Sequence, residues 1–330
     1  MFLGKINQHN NNSLLSVLNS IKYSGISGLM QNLFHSYPCK KSCYPPYSET
    51  SEQSILMLEF LFYRLVFMLY STKRLLRLTH NYNVLTFIES LQNSVSSTLH
   101  IGVCKFHYAF ISQNVAQLLP PPNTNYNIHT SYHRHLQNGI QRDALTGWLL
   151  YASYYYVTGQ YNVTLKLTEY MLSKWLPGMV LINQSNYSEA DIDNYRNNVH
   201  TSMPLNVRMK IAVVNNVMYL PHSSLIPKEL DLEVEDDMFW ISPITMSHCL
   251  RFLCYHHIGD TFNRQKALRH LGLSRYVSPD VLSYSLTLAG VCHEISGDKD
   301  TAFYCYDAAL QCDIHICTSA EKRKSRLLTI

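Results

Sequence analysis

A chain of 330 residues with 46% hydrophobic residues can bury a sizeable core in one large domain or two ordinary ones, which excludes a natively unfolded chain. Charged residues make up only 15%, well below the ~25% of an average globular protein, so the surface must draw on Ser, Thr, Asn, Gln, His and the 24 tyrosines. A formal charge of +4 is weak and gives no strong signal for nucleic acid, which usually meets a clustered basic face.

Residues 13–35 carry two short helical patterns, with Gly25 and Gly28 between them. Pro38, Pro45 and Pro46 punctuate a loop, and Thr50-Ser-Glu-Gln53 predicts a capping box that opens a helix over 53–78. Its apolar run from Ser54 to Ser71 is of borderline length for a membrane span, and Glu59 and Arg64 interrupt it. The pattern predicts a buried core helix and no membrane partner. The basic runs Lys73-Arg74 with Arg77, and Lys322-Arg323-Lys324-Ser325-Arg326, read as solvated helix ends.

Further helices are expected over Val84–His100 and Val103–Leu119, with Gly102 as a break. Pro120-Pro121-Pro122 and the polar stretch to Thr130 predict a linker at 121–131. It divides an N-terminal helical region, 1–120, from a second region, 132–330. His133-Arg134-His135 reads as a solvated helix start, with anion binding as the weaker alternative.

From Tyr132 onward the pattern becomes one of paired helices. Asp143–Thr158 and Tyr161–Lys174 form a first hairpin around Gly159. Trp148, Tyr155, Gly159 and Tyr161 are spaced 7, 4 and 2 residues apart, with Ala152 at the small position, as in a tetratricopeptide repeat. An insert over 178–240 interrupts the array. It contains a capped helix from Ser188 to about His200, a helix or strand over Leu205–Asn216, and an exposed strand over Leu230–Val234.

Met246–Ile258 and Arg264–Leu273 form the second hairpin, with Tyr255 before the Gly259-Asp260 turn. The third lies within residues 286–310, where Gly290, Gly297, Ala302, Tyr306 and Ala309 hold the small and aromatic positions, and 319–330 follows as a capping helix. Gly159, Gly259 and Gly297 each end a helix, where glycine takes the left-handed conformation without a Cβ clash, and Asp260 and Asp298 can cap the next helix. The fold class expected is therefore all-α: a tetratricopeptide-like α-solenoid with an irregular insert.

Candidate chemistry is sparse. Asp231-Leu-Glu233-Val-Glu235 alternates like a magnesium-binding pair but lacks an upstream glycine, so a solvated acidic edge is expected. Cys249, Cys254, His256 and His257 cluster in sequence, yet on a helix the two cysteines point about 140° apart, which argues against zinc. Cys39, Cys43, Cys312, Cys317 and His315 have no better spacing. The nine scattered cysteines and the polar start predict reduced thiols in a cytoplasmic setting. No nucleophile elbow, Walker loop or zincin motif occurs. Of the consecutive Tyr154–Tyr156, one or two should be core and the rest can line a groove. The expectation is a non-catalytic protein-interaction module with no cofactor and no metal, and a protein or peptide on its groove.

The phrases DALTGWLLYASYYYVTGQYNVTLKLTEYMLS (143–173), WISPITMSHCLRFLCYHHIGD (240–260) and GVCHEISGDKDTAFYCYDAAL (290–310) resemble molluscan members of the male-abnormal-21 superfamily, which includes the cyclic GMP-AMP synthase-like receptors. The resemblance covers 132–330 and implies a helical, tetratricopeptide-like tail of proteins linked to innate-immune nucleotide signalling. It does not imply catalysis, because the family's Gly-Ser or Gly-Gly turn and acidic pair have no counterpart here. The alternative it implies is the tail of a nucleotidyltransferase whose catalytic half lies outside this chain.

Overall fold

The computed structural model describes residues 75–94, 98–122, 126–176, 178–182, 188–200, 203–274, 281–312 and 317–328. The expectations for residues 13–74 lie outside the described residues. The described part is all-α, with four short strands. No helix among the described residues is long and apolar enough to cross a membrane.

Helices α1 (Leu78–Ser94), α2 (Thr98–Leu118) and α3 (Tyr126–Gly139) pack consecutively. Two expectations change here. Gly102 does not break the chain, because α2 runs through it. One internal glycine costs a helix about 1 kcal/mol, which the buried apolar side of a 21-residue helix outweighs. The expected linker is helical from Tyr126 onward, so His133-Arg134-His135 sits inside α3 and not at its start. From Tyr126 on, the polar composition marks the exposed side of a helix.

Two glutamines one turn apart on α2 tie it to distant segments. Gln113 donates to the Gly139 carbonyl at 2.9 Å and accepts from Arg142 at 2.9 Å. Gln117 donates to the Met218 carbonyl at 3.0 Å and accepts from the Leu220 amide at 2.8 Å. The buried Arg142 guanidinium also lies over the Phe110 ring at 4.7 Å.

Three hairpins follow. They are α4 (Thr146–Val157) with α5 (Tyr161–Lys174), α8 (Pro243–Ile258) with α9 (Thr261–Ser274), and α10 (Leu282–Ile295) with α11 (Lys299–Leu310). Gly159, Gly259 and Gly297 have φ of +75°, +81° and +85°. Asp260 and Asp298 accept from the amides of Asn263 and Thr301 at 3.0 and 3.1 Å, capping α9 and α11. α5 packs on α8, and α8 on α10, so each hairpin covers the next. α12 (Ser319–Leu328) lies on α11.

Between the first two hairpins come β1 (Val180–Leu181), α6 (Glu189–Asn198), α7 (Leu205–Ala212), β2 (Val213–Val214), β3 (Val217–Tyr219) and β4 (Phe239–Ile241). The capping box of α6 is present, with Ser188 and Asp191 exchanging hydrogen bonds. β1 pairs parallel with β2, and β3 antiparallel with β4. Val213, Val214, Val217, Met218, Tyr219 and Leu220 are all buried, so this insert fills the core.

The expected exposed strand at Leu230–Val234 is instead a 3₁₀ segment, Lys228–Val234. Its alternation of acidic and apolar residues reflects burial on two sides. Leu230 and Val234 enter the core, and Glu233 is buried against α12. The basic run at 322–326 is accordingly no solvated helix end. Arg323 grips Glu233 with Nε at 2.6 Å and Nη2 at 2.9 Å, and Lys322 reaches Glu235 and Asp236.

A buried histidine, His135, and a half-buried one, His248, make stability depend on pH. Burial, then neighbouring charge, lowers His135 and His248 to about 4. Unfolding returns each to its ordinary value near 6.5, so between about pH 6.5 and about pH 4 the unfolded chain binds more protons. Stability is full above that window and falls as pH drops through it. The melting temperature should decrease by several degrees from about pH 7 to about pH 5, and His248→Gln should flatten that slope.

Candidate functional site

A cleft of about 1110 Å³ opens where the α4–α5 turn, the end of α2, the loop 221–227 and the 3₁₀ segment meet. Its walls include Tyr156, Gly159, Tyr161, Glu229, Asp231 and His257. Leu76, Pro121, Pro122, Val157 and Ile226 supply apolar surface. The geometry follows from the hairpin. Gly159 reverses the chain between α4 and α5, which brings Tyr156 and Tyr161 together with ring centroids 5.5 Å apart.

Three polar groups converge at one end. Tyr156 Oη donates to Glu229 Oε1 at 3.0 Å, and His257 Nε2 lies 2.9 Å from Glu229 Oε1 and 3.0 Å from Tyr156 Oη. An ionised carboxylate only accepts, so Nε2 must carry the imidazole proton. Tyr161 stacks on the His257 ring at 4.8 Å and 3°, which fixes the ring plane. Burial first, and then the Glu229 carboxylate, push the Tyr156 phenol upward, so it remains a donor. Glu229 Oε2 is shielded from solvent and has no hydrogen-bond partner. Burial raises Asp231, with Glu229 adding to the effect and Lys228 opposing it.

The two serines on the cleft wall are both hydrogen-bonded. Ser224 Oγ accepts from Tyr132 Oη at 2.7 Å and donates to the Gln117 carbonyl at 3.0 Å. Ser223 Oγ accepts from the Leu225 amide at 3.3 Å. Among the described residues, no group of three or more His, Cys, Asp or Glu is placed to hold a metal ion. Cys249 and Cys254 are both buried, and the Cys249 thiol meets Cys292 at 3.8 Å.

Of the repeat-signature residues, Gly159 and Tyr161 line the cleft. The others build the hairpins. Trp148 meets Tyr170 edge-on at 5.0 Å, and Tyr155 stacks on Tyr151 at 5.2 Å. Ala152 is buried, and its carbonyl accepts from Thr164 at 3.2 Å. Tyr255 accepts from Arg251 at 3.2 Å. Ala302, Tyr306 and Ala309 are fully buried, and a Cβ on Gly290 would fall 2.4 Å from Tyr306 Cε1. Gly259 and Gly297 serve their turns. Of the three consecutive tyrosines, Tyr154 and Tyr156 are buried and Tyr155 is half-buried.

Glu229 and the pairing of Tyr156 with His257 escaped the sequence reading. The three residues are separated by 28, 73 and 101 positions, and no local spacing links them. His222 on the cleft wall, a non-glycine residue at φ 56°, gave no sequence signal either. No family model, no curated protein and no solved structure matches the chain.

Proposed function

We propose that the chain is a non-catalytic scaffold of stacked helical hairpins, a tetratricopeptide-like solenoid, that binds a protein partner through an extended peptide segment in this cleft. The observation that supports the reading most is the cleft itself. At about 1110 Å³ it slightly exceeds the ~300–1,000 Å³ of common small-molecule pockets, and tyrosines, histidines and apolar walls line it. Tyrosine supplies large contact area at low entropic cost, which suits peptide recognition. The Glu229–His257–Tyr156 cluster supports binding over reaction, since it fixes an acceptor and offers no free nucleophile. A cytoplasmic setting and a link to innate-immune nucleotide signalling are proposed from the cysteine usage and from the resemblance of residues 132–330, respectively.

Gln160 is exposed on the cleft wall, so Gln160→Trp should fill the cleft and leave the melting temperature unchanged. Proteins captured by the wild-type chain should be lost from this variant, read by quantitative mass spectrometry. Equal capture by both chains would remove the cleft from the reading. A product formed from nucleotides and magnesium by the purified chain would replace the reading with an enzymatic one.

A further inference from the structure

The outer face of α9 forms a second surface, apart from the cleft. Ala267, Leu271 and Ser274 fall on one side of this helix, and all three are buried. Phe262, Lys266, Arg269 and Leu273 fall in one stripe on the other side, spaced 4, 3 and 4 residues apart, and all four are exposed. Phe262 and Leu273, at 74% and 77%, are the two most exposed large hydrophobic side chains among the described residues. Lys266 and Arg269 form no ion pair among the described residues. α9 contains no acidic residue, and the whole second hairpin contains one, Asp260, whose two carboxylate oxygens are taken by Asn263. The neighbouring histidines register the resulting positive field. After burial, Arg264 and His257 lower His256, with Glu229 opposing, and His270 and Arg251 lower His248.

A spacing of 4, 3 and 4 residues is the seam of a coiled coil, where each side chain enters a hole on the facing helix. Apolar ends around a cationic centre call for a partner with the reciprocal order. A second copy of the stripe would set cation against cation. A helix that lies on a bilayer keeps its apolar face continuous, whereas here two cations interrupt it. Nucleic-acid phosphates would match the cations and leave Phe262 and Leu273 in water. We infer that the α9 stripe docks an amphipathic helix of a partner protein, with acidic residues facing Lys266 and Arg269 and apolar residues packed on Phe262 and Leu273. None of the four residues lines the cleft, so this surface is independent of the cleft reading.

The test is selection on the folded full chain from a displayed library of helices, randomised at four seam positions with the same spacing. The double variant Lys266→Glu, Arg269→Glu serves as counter-selection. Both side chains are exposed, so it should melt with the wild-type chain. Enriched helices should carry Asp or Glu at the two central positions and apolar residues at the outer two. The double variant should bind such a helix about tenfold or more weakly, because two attractions become two repulsions. A helix with lysines at the central positions should bind the double variant in preference to the wild-type chain. Phe262→Ser with Leu273→Ser should also weaken binding about tenfold, which a purely electrostatic contact would not show. No enrichment, neutral or basic centres, or equal binding to the double variant would overturn the inference. Binding of phosphatidylserine vesicles or duplex DNA through Lys266 and Arg269, with no helix selected, would replace it with an anionic surface. Gln160→Trp should bind the selected helix as the wild-type chain does, and loss of binding there would move the helix to the cleft and overturn the α9 site.

Discussion

Arg323→Ala should destabilise the fold by about 3–5 kcal/mol, the cost of stranding one partner of a buried ion pair. The Glu233 side chain is fully buried and the Arg323 side chain is only 10% exposed. Their contact is bidentate, and Ser319 also donates to Glu233 at 3.2 Å. Arg323 Nη2 donates to the Glu229 carbonyl at 2.8 Å, and Nη1 lies 3.8 Å from Glu294. Glu294 in turn accepts from Tyr306 at 2.7 Å. One guanidinium therefore joins α12, the 3₁₀ segment and the third hairpin. Against a typical total stability of about 5–15 kcal/mol the loss is severe. Arg323→Lys should recover only part of it, because an ammonium cannot repeat the planar two-point contact. Lys322→Ala, one residue away on exposed pairs, should change little. Denaturant unfolding of the three variants checks the order. The same guanidinium positions the backbone of Glu229, so Arg323→Ala should also weaken ligand binding where it remains folded.

Gly147→Ala should cost about 3 kcal/mol, towards the upper end of overpacking in a close-packed core. A Cβ at Gly147 would fall 2.5 Å from the Gly139 carbonyl oxygen and 2.5 Å from Ile140 Cα. The obstruction is backbone, so no side chain can rotate away and α3 must move from α4. That penalty exceeds the ~1 kcal/mol that alanine gains over glycine in a helix. The shift would also strain Asp143, whose carboxylate accepts from the Leu145 and Thr146 amides, the Thr146 hydroxyl and Asn215 at 2.7–3.0 Å. By contrast, Gly272→Ala in α9 meets nothing within 4 Å and should be neutral or slightly stabilising. Thermal melting of the pair gives the comparison.

The three hairpins were legible because their signals are local. A left-handed glycine, a capping aspartate and a small residue facing an aromatic all fall within about 35 residues of one another, as in any helical repeat. Gly147 sits within the same stretch, but its demand comes from Gly139 at the end of α3 and from Ile140 just after it, and no periodicity reports that. The 3₁₀ segment was misread for a related reason. Alternating acidic and apolar residues imply an exposed strand only if no cation waits on the acidic side, and Arg323 lies 90 residues away. Gln113 and Gln117 gave no sequence signal, yet both are buried as clamps on carbonyls and amides of other segments. The cleft was the least legible feature, since its polar end joins residues from three separate elements.

The most direct test of the central claim is calorimetric titration of a peptide, selected from a random library on the wild-type chain alone, into the wild-type chain and into Gln160→Trp. The account predicts saturable binding to the wild-type chain and none to the variant, with both chains melting at the same temperature. Equal heats of binding for the two would place the ligand elsewhere and contradict the assignment of the cleft.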